Sequence, residues 1–597
     1  MASEATGRAR GGFIRRFLVL AGGYWSSERK WTIRLLTMAL GALTVGQVVV
    51  PIMINLWSEK LFDALEQRSM DRFLVMVMLV FGIIAFSVLN TLLHLRVKRA
   101  LQMGWRQWLT GRLLDKWVWR GRHHQVTYMD GDHDNPDGRI AEDIRITTES
   151  AIDLGHSLSY CAMLLISFVN ILWMLSGALD VTIAGHDIRV PGYLLYIALI
   201  YAAAGTTIAT LLGRPLVRAV NARQGREADF RHGLARVREN AQAIALLHAE
   251  SRERERLFDL VGGVNIGWRG QTKALSNVML FSAAYSVLSV AFPILVGAPR
   301  YISGMISLGV LMQTAQAFQQ TATALSWPID NLASTAGWKA SVERVLGLEE
   351  ALDALDREMN AEGGHIVVDR SETDRGMTFQ QLAVNEPDGR PVIAPFDAEI
   401  LPGERVLIMG DPSAAIRLFR VVARVWPWGS GRVVLPAHTR VFVMPQRPYL
   451  PRGTLRAAIA YPTDPEAVSD AVVITALERV GLSQLTAHLD SSEKWKETLA
   501  VSEQQRLGFA RLLIRRPDWI FVEDATDALS PEDEERMLRL LAHEFPDATL
   551  MTISSHASLE AHHSRKFVLE RTNGAVRMRE DACRTVADSS SFTDPVV

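Results

Sequence analysis

The chain has almost no cysteine and almost no net charge, and each shortage excludes a class of protein. Its 597 residues include two cysteines, Cys161 and Cys583, and carry a formal net charge of -1. A disulfide framework is therefore not expected. No general electrostatic attraction to nucleic acid is expected either. The chain is also too long for one hydrophobic core, so we predict at least two domains.

Charged residues are nearly missing from six long stretches in the first half of the chain. Each stretch is close to the roughly 20 apolar residues that span a bilayer as a helix. A buried helix of a soluble protein explains any one of them, but six in succession favour a membrane domain. We therefore predict an all-α transmembrane domain of six spans over residues 31–345. The stretches are Leu35–Leu56, Phe73–Leu93, Leu158–Leu179, Tyr193–Leu212, Leu275–Val296 and Ile302–Leu325.

Basic residues next to these stretches predict the orientation of the chain. They cluster in residues 1–30, after the second stretch and after the fourth. The positive-inside rule then places both termini in the cytoplasm. Residues 96–155 and 214–274 have apolar residues at helical spacing, so we expect them to extend membrane helices into the cytoplasm. The clusters are Arg8, Arg10, Arg15, Arg16 and Arg29; Arg96, Lys98, Arg99, Arg106 and Arg112; Arg214, Arg218, Arg223 and Arg226.

Two polar sets lie in or beside the predicted spans. Gln313, Gln316 and Gln320 share one face of the sixth span, where they either line a transport pathway for polar cargo or pack helices together. Glu149, Asp153 and His156 share one helix face at the start of the third span. They are either a proton-coupling set or solvated charges at a helix end.

The second half of the chain has the pattern of an α/β domain. Apolar runs at Gly376–Val384 and Pro391–Ile400 flank a turn, and residues 405–409 form a third run before Gly410. A helix beginning near Glu503 precedes a short apolar strand, Trp519–Val522. Two carboxylates follow that strand, at the end that faces the ligand crevice in an open α/β sheet. We predict a linker at 346–373, the α/β domain at 374–580 and a tail at 581–597.

Several phrases resemble ABC half transporters. Three lie in the membrane half, and the fourth is Glu503-Gln-Gln-Arg506 followed by the strand and an Ala-Thr-Asp-Ala-Leu turn. They resemble the subfamily that contains the peroxisomal fatty-acyl half transporters and their bacterial relatives. Peptide carriers of the SbmA/BacA type share this membrane domain but lack the nucleotide-binding domain. The membrane phrases are Trp105–Arg112, Asn135–Ile144 and Arg236–Ala245.

The resemblance implies an ABC exporter-like membrane domain with a cytoplasmic P-loop-type nucleotide-binding domain that uses ATP and Mg²⁺. It also implies a homodimer. Glu239 falls where the family's coupling motif lies; a solvated helix charge is the alternative. A bacterial inner membrane fits the resemblance better than a peroxisome.

The residues for ATP chemistry depart from the family pattern. The phosphate loop keeps Gly410 and has no lysine; Ser413 offers a hydroxyl, and Arg417 could lend a positive charge. The signature motif is altered around Ser502 and Glu503. The usual Asp-Glu pair is inverted to Glu523-Asp524, the magnesium contact and the general base by family position.

The other family positions are retained. Gln446 corresponds to the glutamine that contacts Mg²⁺ together with Glu523, and His556 corresponds to the switch histidine. We therefore predict a degenerate nucleotide-binding domain with little or no ATP hydrolysis, and a carrier of peptides or other hydrophilic or amphipathic solutes driven by an ion gradient or passive. The alternatives are an ATP-hydrolysing transporter of fatty-acyl or peptide cargo and an inactive subunit of a heterodimer.

Overall fold

The computed structural model describes residues 12–129, 135–183, 186–359, 365–572 and 574–581. The chain forms two compact units, Met1–Leu114 with Asn135–Leu348, and Asp115–Asp134 with Glu349–Val597. Arg8, Arg10 and most of the predicted tail, with Cys583, lie outside the described residues.

The first unit is mainly helical, and helices also pack on the sheet of the second. In chain order they are α1 (Phe13–Trp25), α2 (Lys30–Glu66), α3 (Met70–Val118), α4 (Arg122–Gln125), α5 (Pro136–Gly138), α6 (Ile144–Ser176), α7 (Tyr193–Glu239), α8 (Ala241–Leu246), α9 (Glu250–Ile302), α10 (Leu308–Asp330), α11 (Leu332–Met359), α12 (Pro412–Val422), α13 (Leu455–Ala460), α14 (Asp470–Arg479), α15 (Trp495–Thr498), α16 (Val501–Arg515) and α17 (Pro531–Glu544).

The strands form two small sheets and one large one. In chain order they are β1 (Ala178–Ile183), β2 (His186–Pro191), β3 (Val367–Ser371), β4 (Met377–Asn385), β5 (Pro391–Ile400), β6 (Arg405–Gly410), β7 (Gly429–Pro436), β8 (Val441–Met444), β9 (Gly453–Thr454), β10 (Ser492–Glu493), β11 (Trp519–Glu523), β12 (Thr549–Ile553), β13 (Arg565–Thr572) and β14 (Ala575–Asp581). The large sheet has the order β3-β7-β4-β5-β14-β13-β6-β12-β11-β8.

Five helices of the described chain are long and apolar enough to cross a bilayer, namely α2, α3, α6, α7 and α9. The predicted sixth span is divided, because α9 continues to Ile302 and α10 begins only at Leu308. The helix α10 contains Gln313, Gln316, Gln319 and Gln320, which lower its hydropathy. Length and composition alone therefore do not confirm a count of six.

The start of α10 is fixed by two carboxylates near the end of α2. Glu66 Oε2 accepts from the Leu308 N–H at 3.0 Å, and Asp63 Oδ1 accepts from the Gly309 N–H at 3.0 Å. These bonds satisfy backbone donors that a helix leaves free in its first turn. Further along, Asn55 of α2 donates to the Gln313 carbonyl at 2.9 Å, so α10 runs antiparallel to α2.

Two features of the first unit differ from the sequence prediction. The segment 214–274 is helical but not continuous, since α7 ends at Glu239 and α9 begins at Glu250, with α8 between them. His248 has a φ of 51°, which breaks the helix before α9. The third apolar stretch also ends early, at Ser176, and a β1–β2 hairpin follows it. Apolar β-branched residues alternate with polar ones at Val181–Ile183 and Ile188–Val190, but the sequence prediction assigned no strand between the third and fourth stretches.

Four neighbouring parallel strands form the centre of the second unit. β6 pairs with β12, β12 with β11, and β11 with β8, all in parallel. Val406, Ile408, Phe521 and Met551 lie in the apolar cluster on one face, and Val522 lies in the cluster on the other. A parallel sheet covered on both faces needs mostly apolar strands, and apolar residues form most of these four.

A segment between α3 and α6 belongs to the second unit. The Tyr128 ring lies 5.0 Å from the Trp426 ring and 5.8 Å from the Trp428 ring, measured between centroids. Its hydroxyl accepts from Arg420 Nη1 at 3.1 Å. The division of the chain at residue 345 does not anticipate this placement.

Candidate functional site

The residues predicted to carry ATP chemistry meet at one edge of the large sheet. Gly410 ends β6, Glu523 ends β11, Gln446 follows β8 and His556 follows β12. The four strands are parallel and adjacent, so their carboxyl ends lie together. This edge is where ligands bind in open α/β sheets.

The strand β6 passes into α12 without an intervening loop. Gly410 has a φ of 111°, and Pro412 is already the first residue of α12. Between them, Asp411 caps the helix, because its Oδ1 accepts from the Ala414 N–H at 3.0 Å. A carboxylate of this chain thus lies at the helix N-terminus, where a phosphate-binding helix would hold its anion.

Arg571 of β13 neutralises that carboxylate. Its Nη2 lies 2.8 Å and its Nε 3.0 Å from Asp411 Oδ2. Burial raises the pKa of the Asp411 carboxyl, but the hydrogen bond from Ala414 and the contacts with Arg571 outweigh burial and hold the pKa below its usual range. Asp411 is therefore ionised at neutral pH.

Arg417 does not replace the missing lysine in this arrangement. Its Nη2 donates to Glu386 Oε1 at 3.0 Å, and its guanidinium lies 4.7 Å from the centre of the Trp426 ring. Ser413 is exposed in the first turn of α12. The side chain of Arg417 thus packs the domain together.

The inverted carboxylate pair has an uncommon backbone. Asp524 has a φ of 40°, which is rare for residues other than glycine, and its N–H donates to the Ile553 carbonyl at 2.9 Å. Glu523 is half-buried: burial raises its pKa, the positive charge of Arg420 opposes this, and Asp524 adds to it. Both carboxylates lie at the carboxyl end of β11, where the sequence predicts them.

Gln446 is engaged by a network that the sequence analysis did not anticipate. Its Nε2 donates to Asp527 Oδ2 at 2.7 Å. Gln505 of α16 donates to the other oxygen of Asp527 and, at 3.1 Å, to the Gln446 carbonyl. Asp527 therefore holds the amide nitrogen of Gln446, whereas the side-chain oxygen of Gln446, the atom that could bind Mg²⁺, takes no part in this bond.

His556 and Glu503 also have partners within their own unit. His556 Nδ1 lies 3.2 Å from Glu534 Oε1. The Ser558 hydroxyl donates to the other oxygen of the same carboxylate, Oε2. Glu503 Oε2 accepts from the Ala500 N–H at 2.9 Å and so caps α16. Ser502, in the first turn of α16, is partly exposed. These contacts give both side chains structural roles.

The site does not fit a magnesium–triphosphate group. The anion position at the start of α12 holds Asp411, which is paired with Arg571, and Arg417 is bonded to Glu386. We therefore derive no hydrolytic step at this edge.

The candidate residues of the membrane unit are less concentrated. Gln313 is 3% exposed, and Gln316 Oε1 accepts from Asn55 at 3.3 Å, whereas Gln320 is half-buried. Glu239 is exposed at the end of α7. The three residues of the predicted proton-coupling set have different partners. Glu149 pairs with Arg145, Asp153 pairs with Lys98, and His156 contacts Gln47.

The comparisons with known proteins agree on a transporter. The family model described as ABC transporter transmembrane region 2 matches residues 23–264. The chain is 30% identical over 480 residues to an uncharacterized ABC transporter ATP-binding protein of Synechocystis, covering 77% of this chain and 68% of that protein. It is 28% identical over 552 residues to the inner membrane ABC transporter ATP-binding protein YddA of Escherichia coli, covering 91% and 95%.

Two further proteins extend this result. The chloroplastic ABC transporter D family member 2 of Arabidopsis thaliana is 25% identical over 588 residues, covering 87% of this chain and 81% of that protein. The structure of a bacterial Atm1-family ABC exporter with ATP bound has a TM-score of 0.66, at 16% identity, over 91% of this chain and 94% of that one. At that identity the likeness concerns the fold alone.

Proposed function

The chain belongs to the ABC transporter family, and from this premise we propose that it carries peptides or other hydrophilic or amphipathic solutes without hydrolysing ATP. It is a membrane subunit related to D-type half transporters, and its relatives use ATP and Mg²⁺ in general. The cargo and the inactive nucleotide domain are the proposed steps.

One observation carries the proposal of an inactive domain. The position that a phosphate takes at the start of a P-loop helix is filled by the Asp411 carboxylate and its partner Arg571. Phosphoryl transfer depends on positioning and on charge stabilisation. The Asp411 carboxylate opposes both, because it already accepts the Ala414 N–H of the first turn and, where Arg571 does not offset its charge, repels an entering anion.

We also propose that α10 is the sixth span. Its 23 residues correspond to about 34 Å, enough for a hydrocarbon core of about 30 Å. Its antiparallel contact with α2 supports a crossing. Gln313 and Gln320 would then lie within the bilayer, where amides suit a polar cargo. Both termini are proposed to be cytoplasmic, in a bacterial inner membrane, and two copies to form a homodimer.

Glu239 is proposed to couple the membrane helices to a nucleotide-binding domain. It ends α7 and precedes α8, after which Leu246 and Leu247 are 72% and 77% exposed. Exposed leucines beside a short helix suit a protein contact. Ion-gradient-driven or passive transport follows if ATP supplies no energy.

The test is MgATP binding to the full chain in lipid nanodiscs, with turnover followed in the same sample. We expect no saturable binding at millimolar ATP and no turnover in the wild type. The variants Asp524→Asn and Glu523→Gln should then change nothing. Asp388→Asn, at the β4–β5 turn, is the matched control for loss of one acid in the same unit.

Turnover that Asp524→Asn abolishes and Asp388→Asn spares would establish an ATP-driven transporter instead. Binding without turnover would make the domain a nucleotide-binding brace. Activity that appears only after a second, different half transporter is added would favour the heterodimer.

A further inference from the structure

Polar residues form two facing stripes on α3 and α6. On α3, Asn90, His94, Lys98 and Gln102 recur every four residues, which places them on one face. Asn90, His94 and Gln102 are buried. On α6, Asp153 and His156 face them. Buried polar side chains next to membrane spans are costly and mark candidate functional positions.

The stripes meet in a pair of histidines. The rings of His94 and His156 lie 4.2 Å apart between centroids. His94 is 5% exposed, and its Nε2 has no hydrogen-bond partner among the described residues. His156 Nε2 lies 3.0 Å from Gln47 Oε1 of α2. This contact joins His156 to an uncharged side chain of α2.

Charged groups lead from the histidines towards the polar end of the two helices. Lys98 Nζ lies 3.0 Å from Asp153 Oδ1, and the Gln102 amide donates to the same oxygen at 3.0 Å. Arg145 and Glu149 form the next ion pair, at 2.9 Å. We call Lys98 and Asp153 the Asp153–Lys98 ladder. The Asp153 side chain is 48% exposed, so water reaches this ladder about one helical turn from His156.

These groups define the electrostatic surroundings of the pair. Lys98 on α3 opposes a positive charge there, and Asp153 on α6 favours one. Tyr160 on α6 stacks at 6.4 Å from His156, and α2 presents the neutral Gln47. The pair therefore stands between one cation and one anion, with an uncharged amide on its third side.

His156 also borders a large apolar cavity in the same unit. The cavity has a volume of about 980 Å³, and its lining includes Leu40, Leu101, Trp105 and Met163. A charge placed on His156 therefore adjoins a volume that otherwise favours apolar groups. Protonation would change what the cavity holds.

We propose that His94 and His156 form a shared site for a single proton, reached from the Asp153–Lys98 ladder and opening on the apolar cavity. Two imidazolium ions about 4 Å apart repel strongly, so a second proton binds about three pH units below the first. This inference rests on the proposed function in one respect: it takes transport to be driven by an ion gradient and identifies the ion as the proton.

The test is a pH titration of histidine-labelled full-length protein in lipid nanodiscs, followed by NMR between pH 4 and 9. Signals are assigned by their loss in His94→Gln and His156→Gln. We expect the two signals to move together in one step in the wild type. In each single variant we expect one signal to remain and to follow the titration curve of a single histidine. His543, 86% exposed, is the internal reference, and His543→Gln is the matched control.

Two variants keep both histidines and so remain informative if either glutamine variant fails to fold. Lys98→Gln removes the neighbouring cation and should raise the pH of the first step by one unit or more, estimated as roughly half the histidine–histidine effect. Asp153→Asn should lower it. Independent titration of the two histidines, or no titration above pH 4, would overturn the proposal. ATP does not enter this measurement, so its outcome is separate from that of the nucleotide-binding test.

Discussion

Removing the charge of Asp411 should let the start of α12 accept an external phosphate. Asparagine caps helices about as well as aspartate, so Asp411→Asn keeps the hydrogen bond to the Ala414 N–H. It also releases Arg571, which is 61% exposed, from its ion pair. The variant therefore changes the charge of the position without dismantling its backbone.

The size of the effect follows from Coulomb's law. Two unit negative charges about 4 Å apart repel by about 4 kcal/mol at an effective dielectric of 20. The opposite charge of Arg571, 2.8 Å from Asp411, and salt screening reduce this to about 1–3 kcal/mol. Since about 1.4 kcal/mol corresponds to tenfold in affinity, Asp411→Asn should bind ATP or pyrophosphate about 10- to 100-fold more tightly than the wild type.

The assay is displacement of a fluorescent ATP analogue from the full chain in nanodiscs, at low and at physiological salt. Asp388→Asn is the control, because Asp388 also pairs with an arginine, Arg390 at 2.7 Å, but away from the strand edge. Equal, undetectable binding by the two variants would refute the reasoning. The missing glycines and lysine, rather than the carboxylate, would then limit binding.

Three other predictions concern stability and orientation. Burial lowers the pKa of His563 to about 4, while its ring bonds the Leu559 carbonyl and the Thr552 hydroxyl. The folded pKa lies below the unfolded value of 6.5, so this stability is present above pH 6.5 and is lost as the pH falls towards about 4. Chemical unfolding should show a loss of about 3 kcal/mol across that window, and His563→Gln should flatten it. In thermal unfolding, Gly410→Ala should destabilise the chain more than Gly389→Ala. Both incur about 1–2 kcal/mol for a positive φ, but only at Gly410 does the added Cβ overlap the Leu569 backbone; equal losses would contradict this. In a cysteine-free background, an impermeant maleimide should label Ser303→Cys in intact cells and Leu247→Cys only after lysis, and the reverse pattern would invert the proposed topology.

The sequence predicted the elements of the second unit well because their signals are local. The strands at 376–384 and 391–400 and the strand before Gly410 were each placed to within a residue. Apolar runs bounded by turn residues carry that information. The helix α16 and the strand β11 were predicted for the same reason.

The partners of the site residues were not predictable in this way. Asp411 and Arg571 are 160 positions apart, and no local pattern joins them. The Gln446–Asp527–Gln505 network depends on the order of β8 and β11 in the sheet. His94 did have a local signal, the four-residue spacing of polar side chains on α3. This spacing was missed because Asn90 lies inside the apolar stretch Phe73–Leu93, which was interpreted only as a membrane span, and His94 directly follows that stretch.

The placement of Tyr128 has a consequence for the order in which the chain is completed. Residues 115–134 leave the ribosome more than 200 positions before Trp426 and Trp428, against which Tyr128 packs. The α/β unit therefore does not fold from one contiguous piece of chain. Its first segment lies between two membrane helices and gains its contacts only after the last third of the chain has been synthesised. Contacts of such long sequence separation slow folding, and a fragment that starts at Glu349 would expose the tryptophan surface that this loop covers.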